Sequence, residues 1–106
     1  MARSLNINTT DSKKIIISFN NNGKVKKLTS SSTVLKSQAT LPLIEKLLQK
    51  EKVELNQIDE VKVDMGYGSF TGLRVGISIA NALGYLLRIP VNGNKIGELE
   101  RPVYNK

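Results

Sequence analysis

The strongest constraint on this chain is an alternation. Leu5 and Ile7, then Ile15, Ile17 and Phe19, then Val61 and Val63, then Ile89 and Val91 stand two residues apart, with Asn6, Asn8, Ser18, Lys62, Asp64 and Asn92 between or beside them. Period-two patterning belongs to a strand with one face in an apolar core and the other in water. A parallel sheet covered on both faces reads instead as unbroken apolar runs. The chain is therefore expected to form a sheet with one open polar face and all its helices on the other. Val25 is assigned to the helix side, and Lys24 and Lys26 to the open side.

Residues 9–12 form a polar turn between the first two strands, which read as a hairpin. Residues 20–23 carry a second turn signal, so residues 24–29 pair back as a third strand. Leu41, Ile44, Leu47 and Leu48 have helical spacing within residues 37–52, where Pro42 is placed in the first turn, a position at which a missing amide costs little. A fourth strand is expected at residues 61–64, a second helix at 70–87 and a fifth strand at 89–92. Residues 1–92 then make one lobe, and 93–106 a polar tail with at most one short helical turn, which Pro102 ends. Right-handed crossovers turn the order β-β-β-α-β-α-β into an α/β fold, a five-stranded mixed sheet with two helices on one face.

At 106 residues there is room for one small core. The absence of Cys and His removes zinc thiolate sites, thiol nucleophiles and imidazole bases, and nine acidic residues leave little for metal-assisted hydrolysis. The net charge of +7 favours an acidic partner such as RNA. Lys13, Lys14, Lys24, Lys26 and Lys27 cluster, however, without the aromatic side chains on which bases stack, and read first as a solvated edge. No apolar leader opens the chain, and Arg74, Ser78, Asn81, Arg88 and Pro90 make residues 73–91 too polar to cross a bilayer. A cytoplasmic protein with no membrane partner is expected.

Residues 66–76, Gly-Tyr-Gly-Ser-Phe-Thr-Gly-Leu-Arg-Val-Gly, form a glycine-flanked turn into the second helix. Gly66, Gly68, Ser69, Phe70, Thr71, Gly72 and Arg74 are the candidate loop residues. Backbone amides at a helix start can receive an anion. The third position of a dinucleotide fingerprint is missing and no P-loop lysine follows, so a tight turn whose Ser69 or Thr71 caps the helix is the plainer reading.

This run resembles the TsaB (YeaZ) family, whose members carry GPGSFTGLR before a helix like VGISIANALGYLLRIPV here. SLNINTTD, from Ser4, resembles the family's opening ILAIDTST, and LPLIEKLL, from Leu41, resembles its first helix. The resemblance implies the amino-terminal half of an actin-like, ribonuclease-H-like (ASKHA) fold without catalysis, cofactor or metal. It implies a partner of TsaD in forming threonylcarbamoyladenosine on tRNA, with tRNA contact weak or indirect. It also implies a helix bundle, built from the first two helices, that joins the lobe to TsaD or to a second copy. Asn8 stands where the family has an aspartate, so the anionic oxygen used in Mg-nucleotide chemistry is missing. Tyr67 stands where the motif has proline.

At about 100° per residue, Arg74, Ser78, Asn81, Tyr85 and Arg88 share one arc of the second helix, while Leu73, Val75, Ile77, Ile79, Leu83, Leu86 and Leu87 fill the rest. Gly72, Gly76, Ala80 and Gly84 repeat every fourth residue and permit close approach. Each small residue alone is read as meeting the sheet or the first helix of the same chain, whereas the apolar face as a whole exceeds what one sheet can cover. The expected partner face combines Leu41, Ile44 and Leu48 with Gly72, Leu73, Gly76, Ile77, Ala80, Leu83, Gly84 and Leu87. The expected function is a non-catalytic interaction subunit. The alternative is a small basic RNA-binding module using the polar sheet face, and an enzyme acting at the loop lacks paired carboxylates or a base nearby.

Overall fold

The computed structural model describes residues 3–11, 13–31, 36–65, 70–98 and 100. Its elements run β1 (Arg3–Asn8), β2 (Lys14–Asn21), β3 (Lys24–Ser31), α1 (Lys36–Lys50), a 3₁₀ turn at Leu55–Gln57, β4 (Glu60–Val63) and α2 (Phe70–Leu87). The sheet order is β3-β2-β1-β4, with β1 antiparallel to β2 and parallel to β4. Leu5, Ile7, Ile15, Ile17, Phe19, Val61 and Val63 are all buried, and they join Ile44, Leu47, Leu48, Leu73, Ile77, Ala80 and Leu83 in one apolar cluster. The expected alternation thus becomes a two-layer packing, α1 over β2 and β3, α2 over β4 and β1.

The β2–β3 turn has Asn22 at φ 54° and Gly23 at φ 94°, the paired left-handed conformation that two-residue hairpins need. It sets Asn21 opposite Lys24, Asn20 opposite Val25 and Ile17 opposite Leu28. Leu28 therefore shares the core side with Ile17, and Val25 lies on the open face, 58% exposed. The expected facing of β3 was one residue out of step: the turn fixes the register, and Lys26, not Val25, falls on the helix side.

The sheet has four strands rather than five. Beside β4 the chain makes a single bridge, Val61 with Val91, in which the Val61 N–H donates to the Pro90 carbonyl (3.1 Å) and the Asn92 N–H to the Val61 carbonyl (2.9 Å). Two features stop it there. Pro90 has no N–H to give, and Asn92 (φ 52°) and Gly93 (φ 75°) repeat the left-handed pair of the first hairpin, closed by Asn94 N–H on the Val91 carbonyl (3.0 Å). The turn redirects the chain before a second ladder pair can form. A tight turn follows at Lys95–Glu98, with Gly97 at φ 93° and Glu98 N–H donating to the Lys95 carbonyl (2.9 Å).

Pro42 lies inside α1, in its second turn rather than its first, because the helix begins at Lys36. Both helices end alike. Lys52 (φ 56°) and Arg88 (φ 57°) take the left-handed position after the last turn, and the next amides, Val53 and Ile89, reach back to the Leu48 and Gly84 carbonyls (3.0 and 3.1 Å). Among the described residues no helix is long and apolar enough to cross a membrane.

Candidate functional site

The helix α2 spans the residues expected of it, and its burial settles which side it turns inward. Gly72, Leu73, Gly76, Ile77, Ala80, Leu83 and Gly84 are buried. The small residues face the chain itself. A Cβ on Gly76 would stand 2.6 Å from Thr9 Oγ1 and 3.1 Å from a Val63 methyl, and one on Gly84 would overlap a Val91 methyl. The Thr9 hydroxyl donates to the Gly72 carbonyl, tying β1 to the first turn of α2.

This placement redraws the expected partner face. Ile44 and Leu48 on α1 are buried in the same core, and Leu87 is half-buried against it, so of that face only Leu41 stays largely open, at 42% exposure. The reason is geometric: the glycine stripe brings the α2 backbone onto the sheet, and the large residues flanking the stripe go in with it. What α2 leaves outside is a different strip. Val75 and Ile79 are half-buried, Ala82 is exposed, and Tyr85 and Leu86 are 72% and 73% exposed. Val75, Ile79, Ala82 and Leu86 follow at intervals of four, three and four, the spacing of a seam that meets another helix. Sequence reasoning put Val75, Ile79 and Leu86 in the general apolar arc and Tyr85 in the polar one. The signal that separates the strip is the stripe itself: with Gly76 and Ala80 seated on the sheet, Val75, Ile79, Ala82 and Leu86 lie roughly a third of a turn round the helix, at the edge of the buried side, and Arg74, Ser78 and Tyr85 lie opposite.

Two hollows of about 300 Å³ flank these surfaces. Thr71, Arg74, Val75, Ser78 and Ile79 line one on the outer side of α2. Leu41, Ile44, Glu45, Leu48, Val53 and Leu55 contribute to the other, where the exposed Leu41 and Leu55 stand at the mouth.

Of the motif residues, Gly66, Gly68 and Ser69 lie outside the described residues, and Phe70 is described only as the start of α2. Thr71 and Arg74 are exposed on the outer side of the helix, and Gly72 is buried under it. The structure thus brings Thr71 and Arg74 to the strip rather than to the sheet. At the end of β1, the Asn8 side-chain oxygen accepts from the Thr10 N–H (3.1 Å) and the Thr10 hydroxyl (2.8 Å). The carboxamide is used to shape its own turn. Among the described residues no three His, Cys, Asp or Glu side chains group closely enough to hold a metal ion.

The open face of the sheet carries a polar row. Lys62 is level with Asn6, Asn6 with Ser18, and Ser18 with Lys27. Asn6 and Ser18 are half-buried and the two lysines exposed.

Residues 33–95 match the family model described as tRNA N6-adenosine threonylcarbamoyltransferase (TsaD). A protein of Buchnera aphidicola from Schizaphis graminum, named tRNA threonylcarbamoyladenosine biosynthesis protein TsaB, is 42% identical over 53 residues, 50% of this chain and 25% of its own. The protein of that name from Haemophilus influenzae is 43% identical over 51 residues, 48% of this chain and 22% of its own. The matched part spans about a quarter of these relatives. YeaZ from Pseudomonas aeruginosa superposes with a TM-score of 0.79 at 26% identity, over 86% of this chain and 42% of YeaZ.

Proposed function

This chain belongs to the tRNA N6-adenosine threonylcarbamoyltransferase (TsaD) family and within it to TsaB (YeaZ), matching that protein's amino-terminal lobe, and we propose that it serves threonylcarbamoyladenosine formation on tRNA as a non-catalytic interaction subunit for a TsaD-type partner. The observation that carries this reading is the outer strip of α2, which stays apolar after the sheet has taken its share of the helix. A helix of a two-layer domain has one side for the sheet and one for water or a partner, and Tyr85 and Leu86 on the water side favour the partner. Leu41 on α1 extends the same proposal to the first helix.

Two features support the absence of catalysis. Asn8 supplies a neutral amide, already engaged by Thr10, where family members carry a carboxylate. With no His or Cys in the chain, no imidazole or thiolate is available as base or nucleophile. The decisive experiment is capture of a TsaD-type protein by the tagged chain, repeated with Leu86→Arg. Capture by the wild type and its loss in the variant are expected. Equal capture by both overturns the strip as the interface, and no capture by the wild type overturns the reading.

The polar row Lys62-Asn6-Ser18-Lys27 favours a second reading, in which the open sheet face lies against RNA phosphates. Phosphate contacts weaken steeply with salt and apolar helix contacts do not. Binding of tRNA that survives Leu86→Arg and disappears with added salt would select it.

A further inference from the structure

Beyond the α2 strip, one cluster has no part in the function proposed above. Asn81 lies on α2, Asn92 and Asn94 lie in the turn that starts at Val91, and all three converge on Glu100. The Asn81 side chain meets the Glu100 backbone at both polar atoms, donating from Nδ2 to its carbonyl (2.9 Å) and accepting its N–H at Oδ1 (2.8 Å). Asn92 Nδ2 donates to Glu100 Oε2 (2.9 Å) and Asn94 Nδ2 to Oε1 (2.8 Å).

The orientation of Asn92 is forced. Its Oδ1 accepts the Val63 N–H (2.8 Å) and its Nδ2 also donates to the Val63 carbonyl (3.2 Å). A backbone N–H can only donate and a carbonyl can only accept, so Asn92 must offer a hydrogen, never a lone pair, toward Glu100. The Asn92 amide therefore stands in for a strand residue at the β4 edge, where the expected fifth strand has ended. Glu100 in turn holds Asn92 there.

We propose that Asn81, Asn92 and Asn94 form a peptide-reading site that takes an extended segment bearing a carboxylate side chain, and that the chain fills it with its own Glu100 as a latch closing the β4 edge. Asn81 reads the main chain of the segment, as a neighbouring strand would. Asn92 and Asn94 present one N–H to each carboxylate oxygen, so the side chain between them must accept twice. A glutamine has the same length but is neutral and accepts at one end only: with Asn92 fixed, its NH₂ would face Asn94, whose amide must turn over to accept it, and both bonds to a carboxylate are lost. Selectivity for the acid over the amide separates this device from simple filling of space.

The test uses the full chain and two readouts of latch opening, hydrogen exchange at the Glu100 backbone N–H and tryptic cleavage after the exposed Lys95. Each of Glu100→Gln and Asn94→Asp is expected to raise both rates about ten-fold or more, as befits loss of a hydrogen bond to an ionised group. The first replaces two bonds to a carboxylate with neutral ones and makes the Asn94 amide turn over, and the second sets carboxylate against carboxylate. Combined, Asn94→Asp with Glu100→Gln gives a matched pair again, and rates return toward wild type. Wild-type rates in both single variants, or no recovery in the double variant, overturn the proposal. Neither readout involves a TsaD-type partner, so failure here leaves the interaction reading untouched.

Discussion

On its sheet side, α2 narrows to Gly72, Gly76, Ala80 and Gly84, and the space they vacate is occupied by Thr9, Val63 and Val91. On its outer side it widens to the half-buried Val75 and Ile79 and to Tyr85 and Leu86, which touch water over much of their surface. Both sides carry apolar residues, yet the first seats its glycines on neighbouring side chains, whereas on the second Ile79 reaches the core only at its edge and Tyr85 and Leu86 stay open. Apolar character alone therefore does not mark an interface. Fit does, because a face with glycines seated on neighbouring side chains has found its partner already.

Substitutions can break this contrast, and the largest effect belongs to the matched side. Ala80 is fully buried, so Ala80→Arg places an unpaired charge in the core. The expected cost is at least about 4 kcal/mol, enough to abolish the helical dichroism of a small domain. A folded Ala80→Arg protein would show that the inner side of α2 is accessible after all. Gly76→Ala comes next: the new methyl meets Thr9 Oγ1, and α2 must lift from β1. Overpacking of this kind costs about 1–3 kcal/mol, against a gain in helix propensity of about 1 kcal/mol. Urea denaturation should therefore show a lowered midpoint; an unchanged or raised one would mean that the contact is soft.

Thr9→Val keeps the shape at the same contact and removes the hydroxyl that the Gly72 carbonyl accepts. A loss of about 1 kcal/mol in the same assay is expected for one buried hydrogen bond. The smallest change belongs to the outer side. Leu86→Arg should alter stability by no more than about 0.5 kcal/mol while abolishing capture of a TsaD-type protein. A large loss of stability would place Leu86 with the core and erase the contrast.

Much of the fold was legible because it rests on local periodicity. The alternation of Ile15, Ile17 and Phe19 identified a buried strand face, and the run from Phe70 to Leu87 identified α2 to its ends. Facing was less legible where it depends on what lies across a gap. Val25 was misassigned because β3 is a solvated edge whose register comes from the Asn22–Gly23 turn rather than from its own pattern. Ile89 and Val91 alternate like a strand, and the missing N–H of Pro90 with the left-handed Asn92 and Gly93 stops them from extending one. The candidate site shares this limit. A helical wheel ranks Leu83 and Leu86 as equally apolar, but only the seating of Gly76 and Gly84 on the sheet says that Leu83 goes in and Leu86 stays out. The Asn81–Glu100 pairing joins residues with no shared periodicity and left no trace in the pattern.

The tie between Thr9 and Gly72 also bears on the order in which the molecule assembles. These residues are 63 positions apart, and Arg3 and Asp59, hydrogen-bonded at the other end of β1, are 56 apart. The β1-β2-β3 meander closes over short turns, whereas the parallel side of β1 must wait for a distant strand and for the helix that follows it. The seat of α2 is thus expected to form late, after the rate-limiting barrier. On that order its glycine contacts set how slowly the native state comes apart rather than how fast it forms, so Gly76→Ala should raise the unfolding limb of a chevron at unchanged slope and leave the folding limb in place.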